Sequence, residues 1–486
     1  MAPPLLQGYP KARLRARIPQ PRSVSLGGRG EMTQVEEVVR WLLETSPWRE
    51  RVVHAERLPA REAEYGDLSR PLPEPLQAAL GALGIHRLYS HQVEAIEAAR
   101  RGEDWLLLTG TASGKTLGYN LPILERILAE PETCALYLFP LKALAQDQRR
   151  KLEEMGLLAL ARFATYDGDT PEADRRVIRR TAQLVLTNPD MLHVGILPCH
   201  RLWARFFSRL RYVVLDELHM YRGLFGSHVA NILQRLERVC ALYGSRPQYL
   251  CASATVGEPE AFAQRLLGRP VRLISQDGSP GGARWILLWN PPWLGRAVGV
   301  RRSPHLEAAD LLALLMQAGV RTLVFTLSRV ATELILRYTR ERLLAEAPPL
   351  VERLSPYRAG YLPEQRREIE ARLFSGELLG VVSTVALEAG IDVGGLDASI
   401  LTGYPGSIAS FWQQVGRAGR GRGTALNILI ALNNPVDQFF LRHPERLLRE
   451  PIETLRINPR NIYILGSHLL CAAYEAPLRE EDLARF

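Results

Sequence analysis

The 486-residue sequence predicts an α/β fold of two tandem, doubly wound parallel-sheet domains. From about residue 76, short runs of apolar and β-branched residues alternate with longer amphipathic segments. These runs are apolar throughout, which is typical of parallel strands covered by helices on both faces. Breaks rich in Pro and Gly at 275–284 and 289–293 divide the alternation into two series. The length also exceeds what one ordinary core accommodates.

Each series supplies several candidate strands, with helical patterns between most of them. The first series has strands at 105–110, 134–140, 163–169, 183–190, 212–219 and 248–255. The second has strands at 322–327, 380–387, 398–405 and 425–432. The boundaries predicted from this pattern are 1–75 for a basic N-terminal extension, 76–284 and 285–435 for the two α/β domains, and 436–486 for a C-terminal region. The extension is rich in Pro and Arg and contains one plausible helix, "VEEVVRWLLET".

Composition narrows the class of protein. A hydrophobic content of 47% indicates a packed globular chain, and no apolar run is long enough to cross a membrane. The five cysteines form no CxxC pair and lie beside no histidine cluster, which favours reduced thiols in a cytoplasmic protein and argues against a zinc site. The net charge of +9 favours a polyanionic partner.

The stretch "TGTASGKTLGYN" at 109–120 joins a predicted buried strand to a predicted helix. A loop at such a junction points backbone N–H groups and the positive end of the helix at an anion. Lys115 is placed to reach the β- and γ-phosphates of a nucleotide, and Thr116 to bind Mg²⁺. The predicted nucleotide-binding residues of this loop are Thr111, Ala112, Ser113, Gly114, Lys115 and Thr116.

A pair of carboxylates supports the same chemistry. "YVVLDELH" ends an apolar strand with Asp216 and Glu217. Asp216 is suited to hold the water shell of Mg²⁺, and Glu217 to orient and deprotonate the attacking water. Together with the upstream Gly-Lys-Thr, this pair predicts hydrolysis of ATP with Mg²⁺ as the second cofactor.

The DELH segment and its neighbours resemble the motifs of superfamily 2 DExH-box helicases. The resemblance implies two RecA-like domains, and it assigns roles to residues of the first one. Gln92 in "LYSHQ" matches an adenine-reading Q motif, and "SAT" at 253–255 matches the motif that couples the two sites. Lys142 in "FPLKALAQDQ" and Asn188 in "TNPDML" lie in motifs that face a nucleic-acid backbone.

The second domain carries the remaining motifs of this resemblance. Arg329 in "VFTLSR" and Thr384 in "STVALEAGIDVGG" are expected near phosphates of a bound strand, and Asp392 near the nucleotide. In "QQVGRAGR", Gln413 is expected near the γ-phosphate. Arg417 and Arg420 are expected to act as arginine fingers from the second domain.

Further segments, including "WNPP" and "NPVDQFFLRHPE", resemble the mitomycin-repair helicases of bacteria and their RecQ-like fungal relatives. This resemblance implies a 3′-to-5′ DNA helicase of lesion repair that acts on single-stranded or tailed duplex DNA. It also implies that 436–486 is the start of a winged-helix-like region, partial and helical. Such proteins continue into a four-cysteine zinc domain, so we expect either a truncated form or a separate chain that supplies it.

Two other functions remain open at this stage. One is an RNA helicase of the DEAD-box kind, against which stand "DELH" in place of D-E-A-D and the extension after residue 435. The other is a nucleotide-gated nucleic-acid-binding module without turnover. Its expected signature is the loss of a lysine, glutamate or arginine of the motifs, and Lys115, Glu217, Arg417 and Arg420 are all present.

Overall fold

The computed structural model describes residues 33–110, 113–156, 160–295, 299–358, 360–361, 363–388, 394–419, 423–484 and 486. The strands are β1 Val52–Leu58, β2 Tyr65–Gly66, β3 Leu88–Tyr89, β4 Trp105–Leu108, β5 Cys134–Leu138, β6 Phe163–Thr165, β7 Leu184–Thr187, β8 Leu210–Leu215, β9 Gln248–Ser253, β10 Arg272–Ile274, β11 Arg284–Trp289, β12 Trp293–Gly295, β13 Val300–Arg301, β14 Thr322–Thr326, β15 Leu354–Tyr357, β16 Gly380–Ser383, β17 Ala398–Thr402 and β18 Ala425–Ile430.

The helices occupy most of the intervals between these strands. They are α1 Gln34–Glu44, α2 Glu74–Ala82, α3 Ser90–Arg100, α4 Lys115–Ala129, α5 Lys142–Glu154, α6 Glu172–Thr181, α7 Pro189–Met191, α8 Ala204–Ser208, α9 Gly223–Leu242, α10 Pro259–Leu267, α11 Pro304–Gln317, α12 Arg329–Glu346, α13 Pro363–Phe374, α14 Ile408–Val415, α15 Pro435–Arg442, α16 Pro444–Leu448 and α17 Ile462–Glu475. Among the described residues, no helix is long and apolar enough to cross a membrane.

The two main sheets confirm the predicted fold class. The first lobe is built on a sheet with the strand order β10-β4-β9-β8-β5-β7-β6, in which every pairing is parallel. The second lobe is built on the order β1-β11-β18-β17-β14-β16-β15, parallel except for the pairing of β1 with β11. Central strands such as β4 and β5 are buried along their whole length, as their continuous apolar sequences require.

Part of the predicted N-terminal extension belongs to the second lobe. Helix α1 begins with a capping box in which Thr33 Oγ1 accepts the N–H of Glu36, and the Glu36 carboxylate accepts the N–H of Thr33. Its apolar face packs with α11 against the second sheet, and β1 adds an edge strand to that sheet. The chain returns to the first lobe at the C-terminal end, where α17 packs against α9.

Candidate active site

The phosphate loop joins the end of β4 to the start of α4, as predicted. Gly114 has a φ of 77°, in the left-handed region, and a side chain there would lie 2.5 Å from the Gln92 amide nitrogen. The Lys115 ammonium group donates to the carbonyl oxygens of Thr109 at 3.1 Å and Gly110 at 2.7 Å. The Ser113 hydroxyl lies 2.6 Å from that of Thr109. The predicted residues Thr111 and Ala112 lie outside the described part of the chain.

The two predicted carboxylates lie beside this loop, at the end of β8. The Asp216 carboxylate accepts the hydroxyl of Tyr119 at 3.0 Å and the N–H of Glu217 at 2.9 Å. Burial, together with the neighbouring Glu217, raises the pKa of Asp216 to about 6. Thr116, whose hydroxyl is predicted to bind Mg²⁺, lies one helical turn before Tyr119 on α4. The Thr116 hydroxyl and the Asp216 carboxylate are oxygen donors of the kind that Mg²⁺ prefers.

Glu217 has a backbone φ of 50°, which is rare for a residue that is not glycine. His219 Nδ1 lies 3.5 Å from its carboxylate. Burial, followed by the charge of Lys115, lowers the pKa of His219 to about 3, so this imidazole is neutral at pH 7. Glu217 therefore lies beside a neutral histidine, and its charge acts on Lys115 of the phosphate loop.

The second lobe contributes Arg417 to the same place. Burial lowers the pKa of Lys115. The negative charges of Glu217 and Asp216 oppose this shift, and the positive charge of Arg417 adds to it. Arg417 also contributes to the lowered pKa of His219, so its positive charge acts on both Lys115 and His219 of the first lobe. The Arg417 side chain is 1% exposed and donates to the carbonyl oxygen of Glu388.

A cleft of about 580 Å³ separates the lobes at this position. Thr109, Gly110 and the SAT residues Ala254 and Thr255 line it from the first lobe, and Trp412, Gln413 and Gly416 from the second. Lys115, Asp216, Glu217 and Arg417 do not line this cleft, but the charges of the other three all act on Lys115, so these residues lie in one region. Arg420 and Asp392 lie outside the described residues.

The amide of Gln92, predicted to read adenine, is engaged within the chain in this structure. Its nitrogen donates to the Gly114 carbonyl oxygen at 3.0 Å, and its oxygen accepts the N–H of Tyr89 at 3.0 Å. Gln92 is 2% exposed and braces the phosphate loop from α3. Its contact with adenine stays a prediction.

The four residues predicted to contact nucleic acid each follow the end of a strand, two in each lobe. They are Lys142 after β5, Asn188 after β7, Arg329 after β14 and Thr384 after β16. The Lys142 ammonium lies 3.0 Å from the Asp169 carboxylate, and the Asn188 side chain caps α7 by accepting the N–H of Met191 at 2.8 Å. Arg329 is exposed at the start of α12, and Thr384 is half-buried. Nucleic-acid contact stays a prediction for all four.

Several residues that contact the phosphate loop or Asp216 were assigned no role in the sequence prediction. Asp277 accepts the N–H of Gly110 at 3.2 Å and pairs with Arg61 at 2.9 Å. His91 Nε2 lies 2.9 Å from the Ser113 carbonyl oxygen. Tyr119 holds Asp216, as described above. The one available signal was the carboxylate in "SQDGSPGG", which served only to mark a break between domains.

Two family models match this chain, one over motifs of the first lobe and one over motifs of the second. A model described as "DEAD/DEAH box helicase" matches residues 89–262. A model described as "Helicase conserved C-terminal domain" matches residues 307–422. The first match includes the phosphate loop and the two carboxylates, and the second includes Arg417.

Individual relatives are similar over most of this chain. The "Uncharacterized ATP-dependent helicase YprA" of Bacillus subtilis is 46% identical over 89% of this chain and 58% of its own length. The "ATP-dependent helicase HRQ1" of Saccharomyces cerevisiae is 40% identical over 93% of this chain and 43% of its own. The crystal structure of the "DUF1998 helicase MrfA bound to DNA" has a TM-score of 0.87 and 45% identity, over 91% of this chain and 59% of that one. This chain thus spans about half the length of these relatives.

Proposed function

This chain belongs to the superfamily 2 DEAD/DEAH-box helicases and resembles MrfA and HRQ1, and on that premise we propose that its lobes form the motor of an ATP-dependent DNA helicase. The observation that carries the proposal is a cleft lined by both lobes, with Thr109 and Gly110 of the phosphate loop on one side and Gln413 and Gly416 of the second lobe on the other. Lys115 comes from the first lobe and Arg417 from the second, and Arg417 is near enough to lower the pKa of Lys115. An ATP bound over the phosphate loop would therefore lie between two cationic groups on separate bodies.

The residues of the first lobe bind and activate the reactants. Lys115 and the N-terminal end of α4 hold the β- and γ-phosphates. Glu217 takes the proton of the attacking water, and its carboxylate lies 3.5 Å from His219 Nδ1. Thr116 and Asp216 would hold Mg²⁺, which neutralises phosphate charge when it is bound.

Arg417 of the second lobe supplies a guanidinium group for the transition state of ATP hydrolysis. A guanidinium group beside the transferring phosphoryl stabilises the charge that develops there, which contributes about 10³- to 10⁵-fold in rate in related nucleotide hydrolases. Because this group is on the other lobe, turnover requires the cleft to close. Closing and opening then move the second lobe relative to the first, which is the mechanical step of translocation.

DNA is proposed as the polymer on which this motor moves. The candidate contacts Lys142, Asn188, Arg329 and Thr384 lie at corresponding strand ends of both lobes, so one strand can contact both bodies. The net charge of +9 favours a polyanion. The solved relative with the TM-score of 0.87 is described as bound to DNA. The 3′-to-5′ direction and the role in lesion repair rest on the resemblance of the motifs.

The proposal is tested by ATP turnover and strand displacement on matched substrates. We expect single-stranded DNA to stimulate ATP hydrolysis more than RNA of equal length, and a 3′-tailed duplex to be unwound in preference to a 5′-tailed one. Glu217→Gln should keep ATP binding and reduce hydrolysis about 10²- to 10⁴-fold. Stimulation by RNA alone would favour the RNA helicase, and binding without turnover in the wild type would favour the gated module.

A further inference from the structure

Two neighbouring segments join the lobes and run side by side between them. We call them the paired connectors: residues 59–64, which follow β1, and residues 275–283, which lead from β10 to β11. The N–H of Arg61 donates to the Gly281 carbonyl oxygen at 2.8 Å, and the N–H of Gly281 donates back at 2.9 Å. The N–H of Glu64 donates to the Gly278 carbonyl oxygen at 2.9 Å. The two segments are therefore one antiparallel ribbon at the joint between the lobes.

A carboxylate of this ribbon contacts the phosphate loop directly. Asp277 Oδ2 accepts the N–H of Gly110 at 3.2 Å and lies 2.9 Å from the Arg61 guanidinium. Asp277 Oδ1 accepts the N–H and the hydroxyl of Ser279 at 3.0 and 2.7 Å. Burial alone would raise the pKa of Asp277, but Ser279 and Arg61 hold it below its ordinary value, so the carboxylate is charged at neutral pH.

A second contact links the ribbon to the other end of the loop. The N–H of Gly278 donates to His91 Nδ1 at 3.2 Å, so the ring proton lies on Nε2, which donates to the Ser113 carbonyl oxygen at 2.9 Å. A side chain at position 278 would lie 2.2 Å from the Ser90 hydroxyl and 2.7 Å from the Glu64 carbonyl oxygen, so the close approach requires glycine. The ribbon thus contacts the phosphate loop at Gly110 through Asp277 and at Ser113 through His91.

We propose that Asp277 is a positioning residue that couples the relative orientation of the two lobes to the shape of the phosphate loop. The inference rests on the proposed function. When the lobes rotate, the ribbon that joins them must move, and the contacts of Asp277 with Gly110 and Arg61 transmit that movement to the loop. DNA binding across both lobes therefore changes nucleotide affinity through Asp277, as the linkage between two sites requires.

The test measures the factor by which single-stranded DNA changes the affinity for a fluorescent, nonhydrolysable ATP analogue. In the wild type we expect a factor of about 5 or more, within the usual range of coupling between sites. In Asp277→Asn the factor should fall below about 2. Glu62→Gln is the matched control, because Glu62 is an exposed carboxylate of the same ribbon.

Arg61→Gln provides a second, independent arm. It removes the same ion pair from the other connector, so it should reduce the coupling factor as Asp277→Asn does, and the double variant should be no worse than either single variant. A wild-type coupling factor in both variants overturns the inference. So does an Asp277→Asn variant that loses nucleotide affinity while DNA still changes it by the wild-type factor, since Asp277 would then only support the loop. If Asp277→Asn does not fold, the Arg61→Gln arm decides alone.

The assay separates this inference from the proposed function. Analogue binding and its response to DNA are measured without hydrolysis. A wild type that binds the analogue but never hydrolyses ATP refutes the motor and leaves the coupling measurable. A wild type that hydrolyses ATP with DNA stimulation, while its variants keep full coupling, refutes only the role of Asp277.

Discussion

Replacing Glu475 with glutamine should loosen α17 from the first lobe. Glu475 and Arg235 form an ion pair between α17 and α9 in which the side chains are 1% and 0% exposed. Arg235 Nε lies 3.1 Å from each carboxylate oxygen, and its NH1 donates to His193 and His468 at 2.7 and 3.1 Å. The variant keeps the volume of the side chain but leaves a buried guanidinium without its counter-charge.

The magnitude follows from the burial of the pair. Breaking a buried ion pair by removing one partner costs about 3–5 kcal/mol, which corresponds to about a 10²- to 10⁴-fold change in an opening equilibrium. Detachment of α17 hydrates Arg235, so this detachment is the opening that the variant favours. We therefore expect the amides of α17 that are protected by docking to exchange about 10²- to 10⁴-fold faster.

Hydrogen exchange followed by mass spectrometry on the peptides of α17 measures this effect. Tyr474→Ala is the matched control, because Tyr474 lies on the same helix and is 78% exposed. Its exchange rates should change far less than those of Glu475→Gln. Exchange in α17 of Glu475→Gln within about threefold of the wild type would refute the reasoning, since the ion pair would then contribute too little to hold the helix.

Three further outcomes follow from the structure. Burial lowers the pKa of His468 to about 3 and also lowers the pKa of His193, so in acid the unfolded chain binds more protons at these histidines than the folded one. The thermal unfolding temperature should therefore fall as the pH decreases below about 6.5, and a constant unfolding temperature from about pH 7.5 to 5.5 would contradict this. Gly114→Ala places a methyl group 2.5 Å from the Gln92 amide at a φ of 77°, a strain of about 1–2 kcal/mol or more, so affinity for a fluorescent ATP analogue should fall about tenfold. The control variant Gly81→Ala, at an open helical position, should bind the analogue like the wild type, and equal affinities for both variants would count against the loop geometry. Raising the salt concentration from about 50 to 200 mM should weaken binding of single-stranded DNA at least about tenfold, and a salt-independent affinity in a filter-binding titration would exclude phosphate contacts as the main source of affinity.

The buried strands of both lobes were predictable because their sequences are apolar throughout. All ten strands expected from the sequence are present, with ends shifted by a few residues, and α1 is present where the N-terminal helix was expected. Strand β1 was missed because it is an edge strand whose residues alternate between exposed and half-buried positions, and its sequence "VVHAERL" contains charges. Strand β11 was missed because "RWILLW" lies between two Pro/Gly-rich breaks that marked the domain junction.

The residues of the candidate site also divide into those that a local sequence pattern predicts and those that it does not. Lys115, Asp216 and Glu217 could be predicted because the phosphate loop and the carboxylate pair are local patterns, and each follows a buried strand. Asp277 was not found, because its contacts with Gly110 and Arg61 join residues far apart in the chain and no local spacing records them. Gln92 shows a third case, in which the motif predicted contact with adenine, while the structure shows its amide engaged with Gly114 and Tyr89.

Turnover in an Arg417→Lys variant tests most directly whether both lobes complete one ATP site. The substitution keeps the positive charge but loses the planar guanidinium fork that matches phosphate oxygens. In single-turnover measurements with saturating DNA, we expect ATP hydrolysis to fall about 10³-fold or more, with ATP affinity within about tenfold of the wild type. Hydrolysis within about tenfold of the wild type in this folded variant would contradict a site shared between the lobes.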